Sequence, residues 1–507
     1  MSHGAILLLM TGLFLLFGYM GVPVSFALIA GVLTATAFTQ ISMQSMVGQL
    51  FHGIDSEALL AVPFFLLVGE LMASSDVAHR MIRLSQTLVG HLRGGLAQVV
   101  TLFSMFFAGI SGSSTADVAV LSRTIARDMD REGYDRAFTA ALIASASTMA
   151  NLIPPSIMAV VYGATGNVSI GGLFLAGIVP GVLIGIGLMI YSYFWGPVGV
   201  KKLRAPLAEV AMAARGSALP LVIPVIIMGG ILSGFFTPTE AGMVAAVYII
   251  VVLIPVLRPS HVKELPRDFV YTGLLYSLPL ALVAGASAFG WMLAYLRGPD
   301  IVAGWIEAFA GHNGRIIMIL LVLLFIVIGD FMYAGLLYSL PLAAVAGASA
   351  FGWMVAYLRG PDIVAAHISA FAGTDGAKIM FLLVALFVIV GDFIDAVPAI
   401  IIFMPIIIKL TQVGDINPLH MGVVIITTLV FGLITPPYGL SLLVASKYVG
   451  VGFGKAVVRS LPLYVVFFAT IAFTVLFPDI VLWLPKMFLP ESVGCFKSPT
   501  GAGYICP

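Results

Sequence analysis

Long apolar stretches follow one another along almost the whole chain, with short polar connections between them. A helix of about 17–25 apolar residues can cross the hydrocarbon core of a bilayer. Stretches that can cross it, or enter it and return, lie near residues 5–20, 24–39, 57–74, 95–122, 137–163, 171–195, 218–236, 240–256, 271–296, 315–356, 377–411, 419–449 and 460–483. The pattern predicts a series of membrane-embedded helices. The first stretch lacks the basic leader and cleavage site of a removed signal, so we expect it to be kept as a span.

The composition agrees with this prediction. Of 507 residues, 61% are hydrophobic and 9% are charged, whereas soluble domains carry about 25% charged residues. This excludes a water-soluble globular enzyme and indicates an all-α polytopic membrane protein in the lipid bilayer. The net charge of +1, without a long basic block, gives no surface for nucleic acid. Cys495 and Cys506 both lie in the C-terminal tail, so the cysteines have no metal-ligand spacing.

Loops rich in Lys and Arg predict the orientation, because cytoplasmic loops carry the excess of these residues. Seventeen of the 24 basic residues lie in five loops, at 76–93, 123–136, 201–215, 258–268 and 447–459. All five can face the cytoplasm only if 95–122 enters the membrane from inside and turns back, while 377–411 does the same from outside. The charges therefore predict two re-entrant helical hairpins of opposite sense, with the N-terminus and the tail, residues 486–507, facing outward.

Matched interruptions predict an inverted repeat, which is common in secondary transporters. In the predicted first half, residues 1–220, SGSSTAD at 111–117 precedes LIPPS at 152–156. In the predicted second half, residues 221–485, GDFIDAVPA at 391–399 precedes LITPPYG at 433–439. Each half is thus predicted to contain a hairpin tip followed by a discontinuous helix.

A tandem duplication lies within the second half. Residues 271–332 recur at 333–394, with 46 of 62 positions identical. The repeated unit contains one span and one hairpin arm. Two arrangements keep the topology of the remaining chain: either 315–330 dips into the membrane and 333–358 forms its return arm, or both segments cross fully.

Broken membrane helices supply the chemistry of the candidate site, because exposed N–H groups bind anions and exposed C=O groups bind cations. In the first half, the hairpin tip and the broken helix combine hydroxyls, a carboxylate, an amide and helix-breaking residues. These candidates are Ser111, Gly112, Ser113, Ser114, Asp117, Asn151, Pro154, Pro155 and Ser156. Hard oxygen ligands of this kind suit sodium. Alternatively, the hydroxyls bond only the helix backbone, the glycine allows close helix packing, and the prolines form a plain kink.

The second half repeats this chemistry. Its candidates are Gly391, Asp392, Asp395, Thr435, Pro436, Pro437, Gly439 and Ser441. Carboxylates in apolar membrane segments are costly and by default functional, so Asp392 and Asp395 are candidates for balancing the charge of a cation. Alternatively, either one caps the returning helix. We expect sodium ligands among the candidates of both halves, without individual assignment.

No catalytic residue or cofactor site is visible in the sequence, so we do not expect an enzyme. GVGFGK at 450–455 lacks the spacing of a nucleotide-binding loop. An ion gradient is therefore the expected energy source.

SGSSTADVAVL, GYDRAF at 133–138, LIPPSIMAVVYG, FFTPTEA and GLITPPYGLSLLVAS occur in this order along the chain. With these motifs, the sequence resembles the large membrane subunit (M, DctM-like) of the TRAP transporters, the tripartite ATP-independent periplasmic carriers, over residues 5–485. The resemblance implies sodium-coupled uptake of an organic anion, such as a C4-dicarboxylate, sialic acid or sugar acid, by an elevator-type movement in the bacterial inner membrane. It also implies two partners, a small membrane subunit (Q), expected as a separate chain, and a periplasmic solute-binding protein (P).

Two other hypotheses remain open at this stage. Because the duplication is not part of the family pattern, the chain could be a membrane scaffold that binds the small subunit without transporting. A stand-alone ion-coupled anion carrier of related architecture would need no binding protein. The sequence does not identify the substrate or the sodium stoichiometry. It gives no role for the tail, although an outward-facing tail would permit a disulfide between its two cysteines.

Overall fold

The computed structural model of the chain describes residues 2–20, 22, 24–55, 60–74, 76–197, 203–297, 301, 373, 375–393, 396–494, 496–497 and 504–505. Most of the repeated segment, Asp395 and both cysteines lie outside these residues, as do the predictions made for them.

The described chain is almost entirely helical. The helices are α1 (His3–Tyr19), α2 (Val24–Thr36), α3 (Met43–Ile54), α4 (Ala61–Ser74), α5 (Val77–Val89), α6 (Gly95–Ser111), α7 (Ser114–Thr124), α8 (Ala126–Arg131), α9 (Arg136–Ser147), α10 (Ile157–Gly166), α11 (Ile170–Phe194), α12 (Leu207–Leu232), α13 (Pro238–Tyr248), α14 (Ile254–Leu257), α15 (Leu265–Tyr295), α16 (Gly376–Phe393), α17 (Ala396–Val413), α18 (Pro418–Gly432), α19 (Leu440–Val449), α20 (Phe453–Leu476), α21 (Pro478–Val481) and α22 (Trp483–Phe488). Short 3-10 segments occupy Thr148–Asn151, Pro259–Lys263 and Pro490–Ser492, and a π segment, Ile249–Leu253, joins α13 to α14.

Four helical stretches of the described chain are long and apolar enough to cross a membrane. They are Ile170–Phe194, Leu207–Leu232, Pro238–Leu257 and Phe453–Leu476. Each covers most or all of a predicted apolar run, so the prediction of several membrane helices is confirmed. At the start of α13, the Thr237 hydroxyl accepts from the Glu240 amide, and the Glu240 carboxylate accepts from the Thr237 amide. Glu240 is thus part of a helix cap.

Three other predicted stretches are interrupted in the described chain. The stretch near 95–122 divides into α6 and α7, which contact each other. The stretch near 137–163 divides into α9, a 3-10 turn and α10, and the stretch near 419–449 divides into α18 and α19. The breaks fall at the predicted glycine, serine and proline clusters.

The chain forms two compact units. The first comprises Met1–Leu59, Gly273–Gly373 and Val397–Leu410. Its described core joins α1, α2, α3 and the second part of α15 through buried apolar side chains, namely Ile6, Leu7, Met10, Leu28, Val32, Ala35, Met46, Ala288, Phe289, Met292, Leu293 and Leu296. No candidate site residue belongs to this unit.

The second unit comprises Leu60–Thr272, Thr374–Ala396 and Thr411–Pro507. It contains α6, α7, α9 and α10 from the predicted first half and α16, α18, α19 and α20 from the predicted second half. Helix α19 packs against α7 and α9, and α16 packs against α18. All the described candidate site residues therefore lie in one unit.

Two of the predicted cytoplasmic loops contact each other. Arg123 donates to the Tyr448 hydroxyl at 2.9 Å, and Arg459 Nε donates to Asp135 at 2.9 Å. These contacts place loops 123–136 and 447–459 on the same side, as the charge pattern predicts. In the first loop Arg136 also binds Asp130 through two hydrogen bonds of 2.8 Å, which lower the pKa of that carboxyl.

The described part of the tail contains two dipeptide strands, β1 (Phe496–Lys497) and β2 (Tyr504–Ile505), which pair antiparallel. Nearer the bundle, the Asn417 side chain donates to the carbonyl of Val493 at 2.8 Å and attaches the start of the tail to the first turn of α18.

Candidate functional site

The first predicted hairpin tip lies at the two-residue break between α6 and α7. Gly112 follows the last residue of α6 with a φ of +61°, a conformation that costs a side-chain-bearing residue about 1–2 kcal/mol. Ser113 is extended and precedes α7, and no described side chain caps that helix. The first N–H groups of α7 therefore have no side-chain acceptor in the described chain and are available to an anion.

A buried carboxylate lies one turn into α7. Asp117 has no exposed surface, and one of its oxygens accepts from the Ser111 hydroxyl. Its second oxygen has no hydrogen-bond partner in the described chain. Beside it the Ser113 and Thr115 hydroxyls lie 3.1 Å apart. A buried carboxylate with an open oxygen, next to several hydroxyls, is a suitable environment for a small cation.

The first broken helix has polar groups on both sides of its prolines. The Ser156 hydroxyl donates to the carbonyl of Asn151 at 2.5 Å and accepts from the Ala159 amide at 3.1 Å, so it caps α10. The amide nitrogen of the Asn151 side chain is buried without a partner in the described chain. The alternative that the hydroxyls bond only the helix backbone therefore holds for Ser156. It does not account for the unpartnered side-chain amide of Asn151.

The first tip lies directly against the first break. A Cβ atom at Gly112 would come within 2.5 Å of the Pro155 carbonyl oxygen, and one at Gly109 within 3.6 Å of the Pro154 carbonyl. Only glycine permits this approach at position 112, since a side chain would overlap the backbone of the break. The structure thus brings together two groups that lie about 40 residues apart in sequence.

The second tip and the second break make an equivalent contact. The Thr435 hydroxyl donates to the Asp392 carboxylate at 2.5 Å, and the Tyr438 amide donates to the Asp392 carbonyl at 3.0 Å. Gly391 lies against the backbone of Gly432. Because Asp392 is bonded to Thr435, its carboxylate is engaged within the second half. Asp395, the other candidate carboxylate of this tip, lies outside the described residues.

The two breaks share one backbone feature and are joined by serine hydroxyls. The bond between Pro154 and Pro155 and the bond between Pro436 and Pro437 are both cis. Gly439, with a φ of +42°, precedes α19. The Ser441 hydroxyl lies 3.3 Å from that of Ser114, and both are buried. This contact brings the start of α19 to the start of α7, so residues of both halves meet at the first tip.

Sequence reasoning missed two residues of α20 at the second break. The Tyr464 hydroxyl donates to the carbonyl of Ile434 at 2.8 Å, and Ser460 donates to the Tyr464 hydroxyl at 3.0 Å. Tyr464 thereby satisfies a carbonyl whose helical donor, the Tyr438 amide, is bonded to Asp392 instead. The sequence gives no local signal for these roles, because neither Tyr464 nor Ser460 belongs to a motif.

Comparisons with known proteins give a consistent result. The profile described as the DctM component of the tripartite ATP-independent periplasmic transporters matches residues 11–341 and 339–480. The two matched ranges meet inside the second copy of the tandem repeat. Together they cover all the candidate site residues.

Three named relatives are similar over nearly their whole length. The chain is 34% identical to the C4-dicarboxylate TRAP transporter large permease protein DctM of Pseudomonas aeruginosa, over 90% of this chain and 93% of that protein. It is 31% identical to the sialic acid TRAP transporter large permease protein SiaM of Vibrio cholerae, over 93% and 96%. It is 30% identical to the 2,3-diketo-L-gulonate TRAP transporter large permease protein YiaN of Escherichia coli, over 91% and 95%.

Proposed function

Because the chain belongs to the DctM family of tripartite ATP-independent periplasmic transporters, we propose that it carries a carboxylate-bearing organic anion inward across the bacterial inner membrane, driven by sodium. The relatives are named for the transport of C4-dicarboxylate, sialic acid and diketogulonate. Each of these solutes carries at least one carboxylate. The proposed substrate class is therefore a carboxylate anion, and its individual identity depends on the solute receptor.

The single observation that carries the proposal is the first tip, where Asp117 keeps one buried oxygen without a partner in the described chain beside the uncapped start of α7. Burial of an ionised carboxylate without a counter-charge is costly. A sodium ion at Asp117, Ser111 and the neighbouring hydroxyls would remove that cost. The free N–H groups of α7 would then receive the carboxylate of the solute.

In this proposal the sodium ion and the solute carboxylate bind next to each other at the first tip, and this couples their binding. A cation at the tip lowers the electrostatic cost of placing an anion next to it, and the anion does the same for the cation. Each ion therefore binds more tightly when the other is present. In this proposal the second tip, with Asp392 and Thr435, supplies the corresponding sodium ligands of the second half.

The proposed partners are the small membrane subunit and a soluble periplasmic solute-binding protein. The isethionate TRAP transporter permease protein DctMQ of Oleidesulfovibrio alaskensis is 29% identical over 93% of this chain, which spans 65% of that protein. Its name and extra length support a close association of the large subunit with a second membrane component. An elevator-type movement of the unit that contains both tips is part of the proposal.

Reconstitution tests the proposal. The chain, its small subunit and its binding protein are placed in proteoliposomes, and uptake of radiolabelled succinate and N-acetylneuraminate is measured with and without an inward sodium gradient. We expect uptake that stops when sodium is replaced by choline. Ser113→Ala and Asp117→Asn should abolish uptake with normal membrane insertion. Ser104→Ala removes a buried hydroxyl of α6 that has no partner in the described chain, and it should transport as the parent does.

Two results would contradict the proposal. Uptake at the parent rate by Asp117→Asn, with unchanged sodium dependence, would remove the sodium site from the first tip. A parent complex that assembles with both partners but accumulates no solute from a panel of carboxylates would favour the scaffold hypothesis.

A further inference from the structure

Helices α7 and α19 run side by side from the candidate site to the basic face of the second unit. Their first turns meet at Ser114 and Ser441, at 3.3 Å, and their last turns meet at Arg123 and Tyr448, at 2.9 Å. At a rise of 1.5 Å per residue, Arg123 lies about 14 Å along the helix from Ser114. The two helices thus connect the candidate site with the side where loops 123–136 and 447–459 meet.

The guanidinium at the far end of this helix pair is held in a fixed orientation. It lies over the Tyr448 ring, with its carbon 5.3 Å from the ring centroid, and one of its amino groups donates to the Tyr448 hydroxyl. A guanidinium has five N–H donors in a planar fork. The Arg123 guanidinium therefore still has N–H donors for a second ligand, while the Tyr448 ring and hydroxyl fix the orientation of its plane.

Three basic residues near Arg123 are already paired with carboxylates. Arg131, Arg136 and Arg459 each bind a carboxylate within 3.4 Å, at Asp128, Asp130 and Asp135. In the described chain Arg123 forms no ion pair of this kind. A carboxylate that arrives at Arg123 would displace no existing ion pair.

We propose that Arg123, oriented by Tyr448, forms an exit subsite that binds the carboxylate of the transported anion as it leaves the candidate site toward the cytoplasm. This inference rests on the proposed function. An exposed charge pair binds weakly and dissociates quickly, which is what release requires. The same subsite would rebind solute from the cytoplasmic side, so solute accumulated inside should slow further uptake.

The test uses this inhibition from inside. Proteoliposomes with the chain, its small subunit and its binding protein are preloaded with graded succinate, and the initial rate of sodium-driven succinate uptake is measured. We expect Arg123→Ala to raise the half-inhibiting internal concentration about two- to fivefold, the effect of removing one exposed charge pair. The external KM and the sodium dependence should stay at the parent values, whereas a merely structural role would shift them as well.

Two milder variants keep the test decisive if Arg123→Ala fails to assemble. Arg123→Lys keeps the charge and loses the planar fork, and Tyr448→Phe keeps the ring and loses the hydroxyl. Each should give a smaller rise than Arg123→Ala. The matched control is Arg131→Ala, a change on the same face at a residue already paired with Asp128, which should behave as the parent.

The outcomes separate the two proposals. A parent without sodium-driven uptake contradicts the proposed function itself. A parent that transports, but shows no internal inhibition or shows inhibition that Arg123→Ala leaves unchanged, overturns the exit subsite alone. The assay is run in vesicles of phosphatidylcholine and in vesicles containing phosphatidylglycerol. An effect of Arg123→Ala confined to the second set would assign the guanidinium to a lipid phosphate and also overturn the subsite.

Discussion

Gly112 offers the sharpest test of how the first hairpin tip contacts the first broken helix. Replacing it with alanine adds a Cβ atom 2.5 Å from the Pro155 carbonyl oxygen, on a residue whose φ is +61°. The left-handed backbone costs a non-glycine residue about 1–2 kcal/mol, and forcing an extra carbon into a packed site costs about 1–3 kcal/mol. The total of about 2–5 kcal/mol is a large fraction of the stability of a folded protein.

Gly133→Ala is the matched control. Gly133 has a φ of +82°, and a Cβ atom there would meet no other atom within 4 Å. It therefore carries the backbone cost without the overlap. The difference between the two variants isolates the contact between the tip and the break, which is worth about 1–3 kcal/mol by the same estimate.

The assay combines thermal unfolding of the purified complex with sodium-dependent uptake. We expect Gly112→Ala to lower the melting temperature more than Gly133→Ala does, and to reduce uptake strongly, because the tip must move away from the prolines. Gly133→Ala should transport nearly as the parent does. Equal melting temperatures for the two variants, together with parent-level uptake by Gly112→Ala, would refute the close contact.

Two further variants test the hydrogen bonds at the tips. Ser111→Ala leaves Asp117 without its hydroxyl donor, a loss of about 1.5–3 kcal/mol for a bond to a charged group. It should raise the sodium concentration for half-maximal uptake at least tenfold. Sodium dependence equal to that of the parent and of the Ser104→Ala control would contradict the assignment. Thr435→Val keeps the shape of the side chain but removes the donor to the carboxylate of the second tip, so we expect a lower melting temperature and slower uptake. Its control is Thr428→Val on α18, the helix that precedes this break, where the hydroxyl bonds only the preceding turn. Equal effects of the two variants would show that the bond from Thr435 to Asp392 contributes nothing specific.

The fold class and the positions of the helix breaks were determined by the sequence itself. Continuous apolar runs require backbone hydrogen bonds to be satisfied within each segment, which dictates helices in a bilayer. Gly112 ends α6, and the adjacent prolines at 154–155 and 436–437 each remove two neighbouring backbone donors, which favours an interruption there, whereas single prolines such as Pro180 stay inside a helix. Lys and Arg placement likewise predicted that loops 123–136 and 447–459 share a side.

The partners of each polar group were decided by the tertiary structure alone. Ser111 bonding Asp117, Thr435 bonding Asp392 and Ser441 meeting Ser114 depend on how helices from distant parts of the chain pack, and spacing along the sequence carries no such distance. Tyr464 shows this most clearly: a tyrosine in an apolar helix has no motif, and its role arises only because α20 places its hydroxyl 2.8 Å from the carbonyl freed by the second break. Local patterns determine where a helix must end, whereas three-dimensional packing determines which groups satisfy the ends.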